Sequence, residues 1–235
     1  MPASPSGAPI QDGSDFPEEV ARACETAFSD SLAASDSRSQ PFPHRLLENT
    51  LPAAVVDGLR RLPFEAPDLG GVSGAREAHN DSRRYLDPAL ISASPLCAAV
   101  AHAFQSKRTA KAVSHALGAD VSGCHLRIEY AQDVDGFWLA PHTDLGVKRF
   151  TLLCYLDPND RPDLGTDLYE APERWSSRAD FRPGAALAFA PSDRTWHGFE
   201  PRPFGCVRKS LIVNYVTSEW RAREQLAFPD RQVGE

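Results

Sequence analysis

The spacing of hydrophobic residues divides the chain into a helical first half and a second half of short strands. Val20, Cys24, Phe28 and Leu32 recur every four residues, which is the spacing of one face of an α-helix. Pro17 precedes them at a position suited to the first turn of that helix. Hydrophobic spacing and capping residues predict three more helices, at residues 52–62, 96–104 and 109–117.

Beyond Gly118 the hydrophobic positions alternate instead of following a helical period. Cys124, Leu126, Ile128 and Tyr130 occupy every second position, so their side chains face one side of a β-strand. Further strands are predicted at residues 137–142, 150–156, 166–170, 185–190 and 209–216. Six short strands joined by proline and glycine turns are typical of a β-sandwich or barrel.

These elements predict a mostly β protein with flanking α-helices. Residues 1–16 are rich in proline, serine, glycine and aspartate and are expected to form a disordered tail. The remaining residues, 17–235, suit a single domain with a full core. Its predicted parts are a helical segment at 17–118, an all-β core at 119–217 and a closing helix at 218–228.

The composition argues against several classes of partner. The net charge of −7 opposes nonspecific binding to nucleic acids and anionic membranes, which are themselves negative. No apolar stretch reaches the roughly 18 residues of a membrane span, and no signal peptide is recognisable. The five cysteines form no close pairs, which is typical of reduced thiols. We expect a cytoplasmic protein without nucleic-acid or membrane partners; no feature indicates its oligomeric state.

A candidate metal site begins with two residues on one chain segment. His142 and Asp144 lie two positions apart, so their side chains can face the same side of a strand and reach one ion. His197 follows after 52 intervening residues, beyond a predicted strand that folding can bring alongside. Two histidines and one carboxylate on one face of an Fe(II) ion leave three coordination positions open. We interpret the three residues as the ligands of a catalytic non-haem iron.

A candidate carboxylate site follows His197 after 10 intervening residues. Arg208 and Ser210 take alternate positions of the last predicted strand, where they share one face. The guanidinium group is permanently charged and pairs with a carboxylate through two hydrogen bonds. One charge-assisted bond of this kind contributes about 1.5–3 kcal/mol. The ordered series therefore indicates an iron site beside a site for a dicarboxylate cosubstrate.

Six short motifs in the second half occur in the order found in a known enzyme family. They are His142-Thr143-Asp144, the strand at 150–156, Gly165-Thr166-Asp167-Leu168-Tyr169, Pro183-Gly184-Ala185, Trp196-His197-Gly198 and Arg208-Lys209-Ser210. Over roughly residues 120–216 the chain resembles the 2-oxoglutarate/Fe(II)-dependent dioxygenases of the prolyl-4-hydroxylase-like branch. The resemblance implies a double-stranded β-helix, or cupin-like jelly roll, with helices packed outside.

The resemblance also implies roles for particular residues. Fe(II) would be held by the His-x-Asp pair and the distal histidine, and the distal carboxylate of 2-oxoglutarate by Arg208 and Ser210. Tyr130 falls where such enzymes often have a tyrosine that contacts the cosubstrate. Thr166 stands where the family usually has a second glycine, which should alter a turn. Because Asp144 is present, the halogenating relatives, which replace this acid with a small residue, are disfavoured.

The implied reaction consumes O2 and converts 2-oxoglutarate to succinate and CO2 while a substrate C–H bond is, most often, hydroxylated. The substrate itself is less well indicated. Asn80, Arg83 and Arg84 lie in a loop at 63–88 that could meet a polar or anionic substrate, or could be a solvated connection. We predict a small polar metabolite such as an amino acid derivative, with a protein side chain as the alternative.

Two other functional classes fit parts of the pattern. A cupin-like metalloenzyme or sensor could use the same three metal ligands, but it would not require Arg208 and Ser210. A catalytically silent binding module would retain the fold without binding iron or consuming 2-oxoglutarate. Metal and cosubstrate binding therefore separate the three interpretations.

Overall fold

Two antiparallel β-sheets form the centre of the computed structural model, which describes residues 16–68, 74, 83–157 and 161–235. Within these residues the larger sheet has seven strands and the smaller sheet has four. A hydrophobic cluster that includes Leu153 and Phe189 from the larger sheet and Leu168 and Phe199 from the smaller sheet joins their inner faces. This two-layer arrangement is that of a jelly roll.

The strand order places sequence-distant strands side by side. The larger sheet contains, in spatial order, β1 (Ser37–Arg38), β2 (His44–Leu47), β9 (Ala186–Phe189), β6 (Lys148–Tyr155), β11 (Arg208–Val216), β4 (His125–Asp133) and β3 (Arg84–Tyr85). The smaller sheet contains β5 (Leu139–His142), β10 (His197–Phe199), β7 (Asp167–Ala171) and β8 (Arg174–Arg178). The six strands predicted from the sequence are confirmed, with ends that differ by at most three residues.

Five α-helices occur in the described part of the chain: α1 (Phe16–Ala34), α2 (Ala53–Arg60), α3 (Pro88–Ala93), α4 (Pro95–Gln105) and α5 (Lys107–Leu117). All but α3 were predicted. The Ser94 hydroxyl accepts a hydrogen bond from the Cys97 N–H at 3.3 Å and so caps the start of α4. Gly118 ends α5 with a φ of 65°, which glycine adopts without strain.

The helices cover the outer face of the larger sheet. Phe28 of α1 packs edge-on against Phe104 of α4 and Phe150 of β6, at ring-centroid distances of 5.1 and 6.4 Å. The Tyr215 hydroxyl of β11 donates to the carbonyl of Phe104 at 2.6 Å. Since side chains alternate along each strand, the apolar residues of β4 and β11 face the helices and their polar residues face the smaller sheet. The candidate site lies on this inner, polar face.

The predicted closing helix at 218–228 is wrong. This segment contains one 3₁₀ turn, Arg223–Gln225, and otherwise follows an extended path. The Ala227 N–H donates to the carbonyl of Leu126 at 2.9 Å, and Leu226 forms a bridge with Arg127 of β4. Backbone pairing to the edge of a strand therefore replaces the internal hydrogen bonds that a helix would require.

The predicted helical part, 17–118, also contains strands. β1, β2 and β3 lie within it, and they extend the larger sheet at both ends. Strands of two to four residues are too short to show an alternating pattern. The predicted disordered tail at 1–16 lies outside the described residues, apart from Phe16 at the start of α1. Among the described helices, none has the length and apolar character needed to cross a bilayer.

Candidate metal centre

The three predicted metal ligands come together between the two sheets. His142 ends β5 and His197 begins β10, and the antiparallel ladder makes these two residues direct Cα partners. Their ring centroids are 4.4 Å apart. Asp144 follows His142 by two residues, and one potential ligand atom from each of the three side chains lies within 4.8 Å of the others. The pairing of β5 with β10 thus brings His197 to the His142–Asp144 pair, as the sequence spacing had suggested.

Backbone carbonyls determine which nitrogen of each histidine faces the site. His142 Nδ1 bonds to the carbonyl of Ala140 at 3.0 Å, and His197 Nδ1 bonds to the carbonyl of Thr195 at 2.8 Å. Because a carbonyl only accepts, each Nδ1 carries the proton and each Nε2 keeps a lone pair for a metal. Burial lowers the pKa of His197 to about 4, although Asp144 opposes this shift. His197 is therefore neutral, as a metal ligand must be.

Asp144 supplies the anionic ligand. Burial raises the pKa of this carboxyl, but the Lys148 ammonium, His197 and the hydrogen bonds from Lys148 and Thr151 outweigh it and hold the pKa well below its usual range. Lys148 donates to Oδ1, and the Thr151 hydroxyl donates to Oδ2 at 2.6 Å. Two neutral imidazoles and one carboxylate are the donor set of a mononuclear non-haem Fe(II) site. The residues present therefore fit this metal.

Arg208 and Ser210 line the same cavity as the three candidate ligands. Arg208 is 4% exposed; it donates from Nε to the carbonyl of Leu164 at 2.6 Å and from Nη1 to Asp133 at 2.5 Å. Its guanidinium lies 4.8 Å from the ring centre of Phe199. The buried Ser210 hydroxyl has no hydrogen-bond partner among the described residues. The arginine–serine pair is thus available to bind a carboxylate, provided that Asp133 gives way.

Tyr130 does not take part in this cavity, contrary to the prediction. It is the Cα partner of Leu211 on β11, and both side chains face the helices. Its hydroxyl donates to the carbonyl of Leu59 at 3.1 Å. The prediction was implied by the resemblance to the dioxygenase family, whereas the face of the strand decides where a side chain points. The β4 residues that line the cavity are Glu129 and Asp133.

Tyr155 is the tyrosine that lies beside Arg208. The centre of its ring is 5.5 Å from the guanidinium carbon. Its hydroxyl donates to the hydroxyl of Thr166 at 2.9 Å and accepts the N–H of Thr166 at 3.1 Å. Thr166 thereby gains a structural role at the position where a second glycine was expected. Side chains at every second position of a strand share a face, which is why Arg208 was paired with Ser210. The same alternation places Tyr155 and Thr151, four positions apart on β6, on one face.

An acidic pair on β4 was missed by the sequence analysis. Glu129 and Asp133 line the cavity, and both contact Arg83, at 3.5 and 3.1 Å. The alternation of β4 had already placed these polar residues opposite its apolar face, but nothing local linked them to Arg208. Asp133 meets Arg208 because the two residues are Cα partners across β4 and β11.

The three predicted substrate contacts have different outcomes. Arg83 lines the cavity with a side chain that is 7% exposed. Arg84 is exposed and pairs in register with Tyr130, so it does not share the face of Arg83. Asn80 lies outside the described residues. Lys148, a possible alternative cation for the cosubstrate, is paired instead with Asp144.

The cavity is small, and ion pairs line it. Its volume is about 60 Å³, and since one water molecule takes about 30 Å³ in the liquid, only small groups fit. Arg208, Asp133, Lys148 and Asp144 all line the cavity, as the pairs Arg208–Asp133 and Lys148–Asp144. Any carboxylate ligand of Arg208 would have to replace Asp133 as its partner.

Neither a protein-family model nor a curated protein matches the sequence. Solved structures do. A prolyl-4-hydroxylase from Pseudomonas putida has a TM-score of 0.54 at 19% identity and covers 82% of this chain and 98% of its own. A prolyl hydroxylase from Trichoplax adhaerens, in complex with a hypoxia inducible factor oxygen degradation domain peptide fragment, has a TM-score of 0.54 at 16% identity, with coverage of 90% and 97%.

A third similar structure is SnoN, a non-haem α-ketoglutarate-dependent epimerase from nogalamycin biosynthesis. Its TM-score is 0.50 at 15% identity, and 84% of each chain is covered. At such identities the similarity concerns the fold, and it confirms the predicted jelly roll with outer helices. The chain therefore shares the fold of the prolyl-4-hydroxylases and related 2-oxoglutarate-dependent oxygenases.

Proposed function

We propose that this protein is an Fe(II)- and 2-oxoglutarate-dependent oxygenase with one catalytic domain over residues 17–235. The observation that carries the proposal is the convergence of two histidines and an ionised aspartate, with ligand atoms within 4.8 Å of one another, in the cavity that also contains Arg208. A metal-binding protein of another kind would need the three ligands alone. The buried arginine–serine pair supports a dicarboxylate cosubstrate.

The side chains would divide the work in the following way. His142 and His197 present Nε2 to the metal, and Asp144 supplies the negative charge. Arg208 and Ser210 bind the distal carboxylate of 2-oxoglutarate, and the rings that line the guanidinium keep water from that carboxylate. Bound Fe(II) and 2-oxoglutarate together activate O2 for attack on a substrate C–H bond. The protein itself contributes orientation and a shielded site.

For the substrate, we propose a small polar metabolite such as an amino acid derivative, hydroxylated at an unactivated C–H bond. The cavity near the metal is narrow and strongly charged, with Arg83, Glu129, Asp133 and Lys148 along it. These buried charges compensate one another in the structure, and a substrate with ionised groups could exchange with them. Arg83 is the residue we assign to a carboxylate or another anionic group of the substrate.

A protein side chain is the second candidate substrate. A groove of about 220 Å³ shares Leu139 and Phe199 with the cavity and is lined by the exposed rings of Trp138 and Trp175. Aromatic-lined grooves of this kind accommodate extended, proline-containing peptides. The Trichoplax structure has a peptide bound to a protein of the same fold, which supports testing this candidate beside the first.

We further propose that the protein works in the cytoplasm without nucleic-acid or membrane partners. All five cysteines are free thiols, and burial raises the pKa of the Cys24 thiol to about 12 and that of Cys124 to about 11. Free, protonated thiols are typical of a reducing compartment. The acidic net charge of −7 agrees with this placement.

The test is an anaerobic titration of metal-free protein with Fe(II) and then 2-oxoglutarate. We expect one iron per chain and the visible absorption band of the iron–2-oxoglutarate chelate. His197→Ala should weaken iron binding at least about 100-fold, because even outer-shell changes cost 10–100-fold. His125→Ala is the matched control, since His125 is buried on β4 and does not line the cavity.

The outcomes separate the competing functions. Iron binding without the chelate band would favour a cupin-like metalloprotein, and absence of iron binding would favour a silent binding module. When the band is present, release of succinate in air is measured with a panel of metabolites and a panel of proline-containing peptides. Stimulation by peptides alone would refute the small-metabolite substrate.

A further inference from the structure

A second polar cluster lies on the inner face of the larger sheet, beside the metal ligands. Its centre is Arg127, which is 1% exposed and does not line the cavity. Arg127 donates from Nη1 to Asn214 Oδ1 at 3.1 Å, from Nη2 to Glu129 Oε2 at 2.7 Å and from Nε to Gln225 Oε1 at 2.9 Å. Three directed hydrogen bonds hold this guanidinium in one position.

Hydrogen bonds lead from Arg127 to the metal ligand without a break. Asn214 Nδ2 donates to Thr151 Oγ1 at 2.9 Å, and the Thr151 hydroxyl donates to Asp144 Oδ2 at 2.6 Å. Arg127 and Asn214 are Cα partners across β4 and β11, and Asn214 and Thr151 are Cα partners across β11 and β6. The register of three adjacent strands therefore aligns the whole series.

The direction of every hydrogen bond in this series follows from Arg127. A guanidinium has donors only, so Asn214 must turn its carbonyl oxygen to Arg127 and its NH₂ group to Thr151. The Thr151 oxygen accepts a hydrogen bond from that NH₂ group, so the Thr151 hydroxyl donates its own proton to Asp144. Each hydrogen bond also polarises the next one in the series. Asp144 Oδ2 is thus supplied with a strong donor of fixed orientation.

The C-terminal segment, 218–228, holds Arg127 in turn. The ring centres of Tyr85 and Trp220 lie 4.7 and 5.0 Å from the guanidinium carbon, and Gln225 accepts from Nε. Cation–π contacts are stronger when the arginine is desolvated, and Arg127 is almost fully buried. Trp220 and Gln225, both in the segment that was predicted as a helix, therefore cover Arg127.

Thr151 is the partner of Asp144 that is compatible with a bound metal. Lys148 holds the other oxygen of Asp144, but its positive charge would be repelled by Fe(II) within a few ångströms. The Thr151 hydroxyl is neutral, so the metal does not oppose its hydrogen bond. When the metal binds, the series that ends at Thr151 is what keeps the carboxylate oriented.

We propose that Arg127 and Asn214, acting through Thr151, are positioning residues that orient the Asp144 carboxylate toward the metal, and that Gln225 fixes Arg127 for this role. The inference rests on the proposed iron site. Outer-shell partners of this kind typically change metal affinity 10–100-fold. Arg127, Asn214 and Gln225 would then affect the metal without touching metal, cosubstrate or substrate.

Four single substitutions of the full chain test the series. Thr151→Val removes the hydroxyl at nearly constant volume, and Thr151→Ser keeps the hydroxyl. Asn214→Asp keeps the shape and the contact with Arg127, but it replaces the NH₂ donor with an acceptor that draws the Thr151 proton away from Asp144. Gln225→Met removes the acceptor for Arg127 Nε. Gln105→Leu is the control, because it deletes the buried hydrogen bond from Gln105 to Gln232, made at 2.7 Å outside the cavity.

The first measurement is the dissociation constant for Fe(II) without oxygen. The second is the visible spectrum of the Co(II)-substituted protein, which reports ligand geometry. We expect Thr151→Val and Asn214→Asp to bind Fe(II) about 10–100-fold more weakly, with a changed Co(II) spectrum, and Gln225→Met to show a smaller loss. Thr151→Ser should stay within about threefold of the wild type, and Gln105→Leu should bind normally even if it unfolds at a lower temperature.

Wild-type affinity in Thr151→Val would overturn the proposal, and a loss in Thr151→Val without any loss in Asn214→Asp and Gln225→Met would remove Arg127 and Asn214 from it. An equal loss in Gln105→Leu would show a general effect of stability and would also overturn it. If Asn214→Asp does not fold, the iron affinities of Gln225→Met, Thr151→Val and Thr151→Ser still test the proposal. Absence of Fe(II) binding by the wild type would instead refute the proposed function.

Discussion

In the structure, Arg208 is already paired with a carboxylate of the protein. Asp133 lies opposite it in the ladder and accepts from Nη1, while Leu164 accepts from Nε. In the proposed function, binding of 2-oxoglutarate at Arg208 would therefore be an exchange of one carboxylate for another. An exchange gains less free energy than pairing a free cation, which limits how much any single contact at Arg208 can contribute.

We expect Arg208→Ala to weaken 2-oxoglutarate binding by about 1.5–3 kcal/mol, or roughly 10- to 150-fold, because the distal carboxylate loses its charge-assisted hydrogen bonds. Arg208→Lys should be intermediate, since an ammonium keeps the charge and loses the planar fork. The measurement is an anaerobic titration followed by the chelate band, with iron occupancy checked separately.

Asp133→Asn is the matched variant with the opposite expected sign. It removes the competing charge, so 2-oxoglutarate should bind more tightly while the ligand-free protein becomes less stable. Wild-type affinity in Arg208→Ala with iron bound would show that another cation holds the carboxylate, and Lys148 would be the next residue to replace.

Arg83 and Arg84 are adjacent in sequence but differ in environment. Arg83 lines the cavity between Glu129 and Asp133, whereas Arg84 is exposed. With a true substrate, Arg83→Ala should raise KM about tenfold or more through the loss of a charged contact, and Arg84→Ala should leave KM unchanged. Steady-state kinetics on both variants decide this, and equal KM values for Arg83→Ala and the wild type would remove Arg83 from substrate binding.

At the scale of elements, the close approach of β5 and β10 determines whether two histidines can share one ion. Gly198 follows His197 on β10, and a Cβ at this position would lie 2.7 Å from the carbonyl oxygen of Leu139 and 3.2 Å from the backbone of Ala140 on β5. Only glycine allows the two strands to pair as closely as they do. The glycine in the Trp196-His197-Gly198 motif thus has a steric reason that the sequence did not reveal.

Gly198→Ala should push β5 away from β10 and separate His142 from His197. We expect iron affinity to fall about tenfold or more and the free energy of unfolding to fall by about 1–3 kcal/mol, as for other overpacked sites. Gly146→Ala is the control, because nothing lies within 4 Å of a Cβ added there. Iron titration and urea unfolding of both variants test the prediction, which fails if Gly198→Ala binds iron normally.

At the scale of the whole molecule, the buried His197 of the candidate metal site couples stability to pH. His197 has a pKa of about 4 in the folded, metal-free protein and an ordinary value of 6.5. Between these values the unfolded chain binds a proton that the folded chain does not, so the free energy of unfolding rises with pH in this window. Above about pH 6.5 both states are neutral and the contribution is complete; it is lost as the pH falls toward 4.

We therefore expect metal-free protein to lose on the order of 1–3 kcal/mol of stability through His197 between about pH 7 and pH 4. His197→Gln, which cannot titrate, should lack this component and show only the pH dependence of the other groups. Urea unfolding of both proteins at several pH values measures the difference. Parallel stability curves for the two proteins would contradict the assignment of a buried, neutral His197.

Local patterns were sufficient for several conclusions. The four-residue spacing of hydrophobic positions predicted α1, and the caps Ser94 and Gly118 predicted where helices begin and end, because these signals act between residues a few positions apart. The two-residue spacing of His142 with Asp144, and of Arg208 with Ser210, indicated shared faces for the same reason. The chemistry of the candidate site, two imidazoles, a carboxylate and a fixed cation, was therefore present in the sequence.

Contacts across strands could not be obtained in this way. The partners Arg208–Asp133, His142–His197 and Arg127–Asn214 depend on the order and register of strands that are far apart in the chain. Tyr130 was misassigned by the resemblance, although its alternation with Leu126 and Ile128 had already placed it on the apolar face of β4. The C-terminal segment was predicted as a helix but pairs with β4 through backbone hydrogen bonds. The sequence determined which groups are available and which neighbours share a face. Only the tertiary structure decided which groups meet, because nonlocal pairing, and not local preference, sets the register of the sheets.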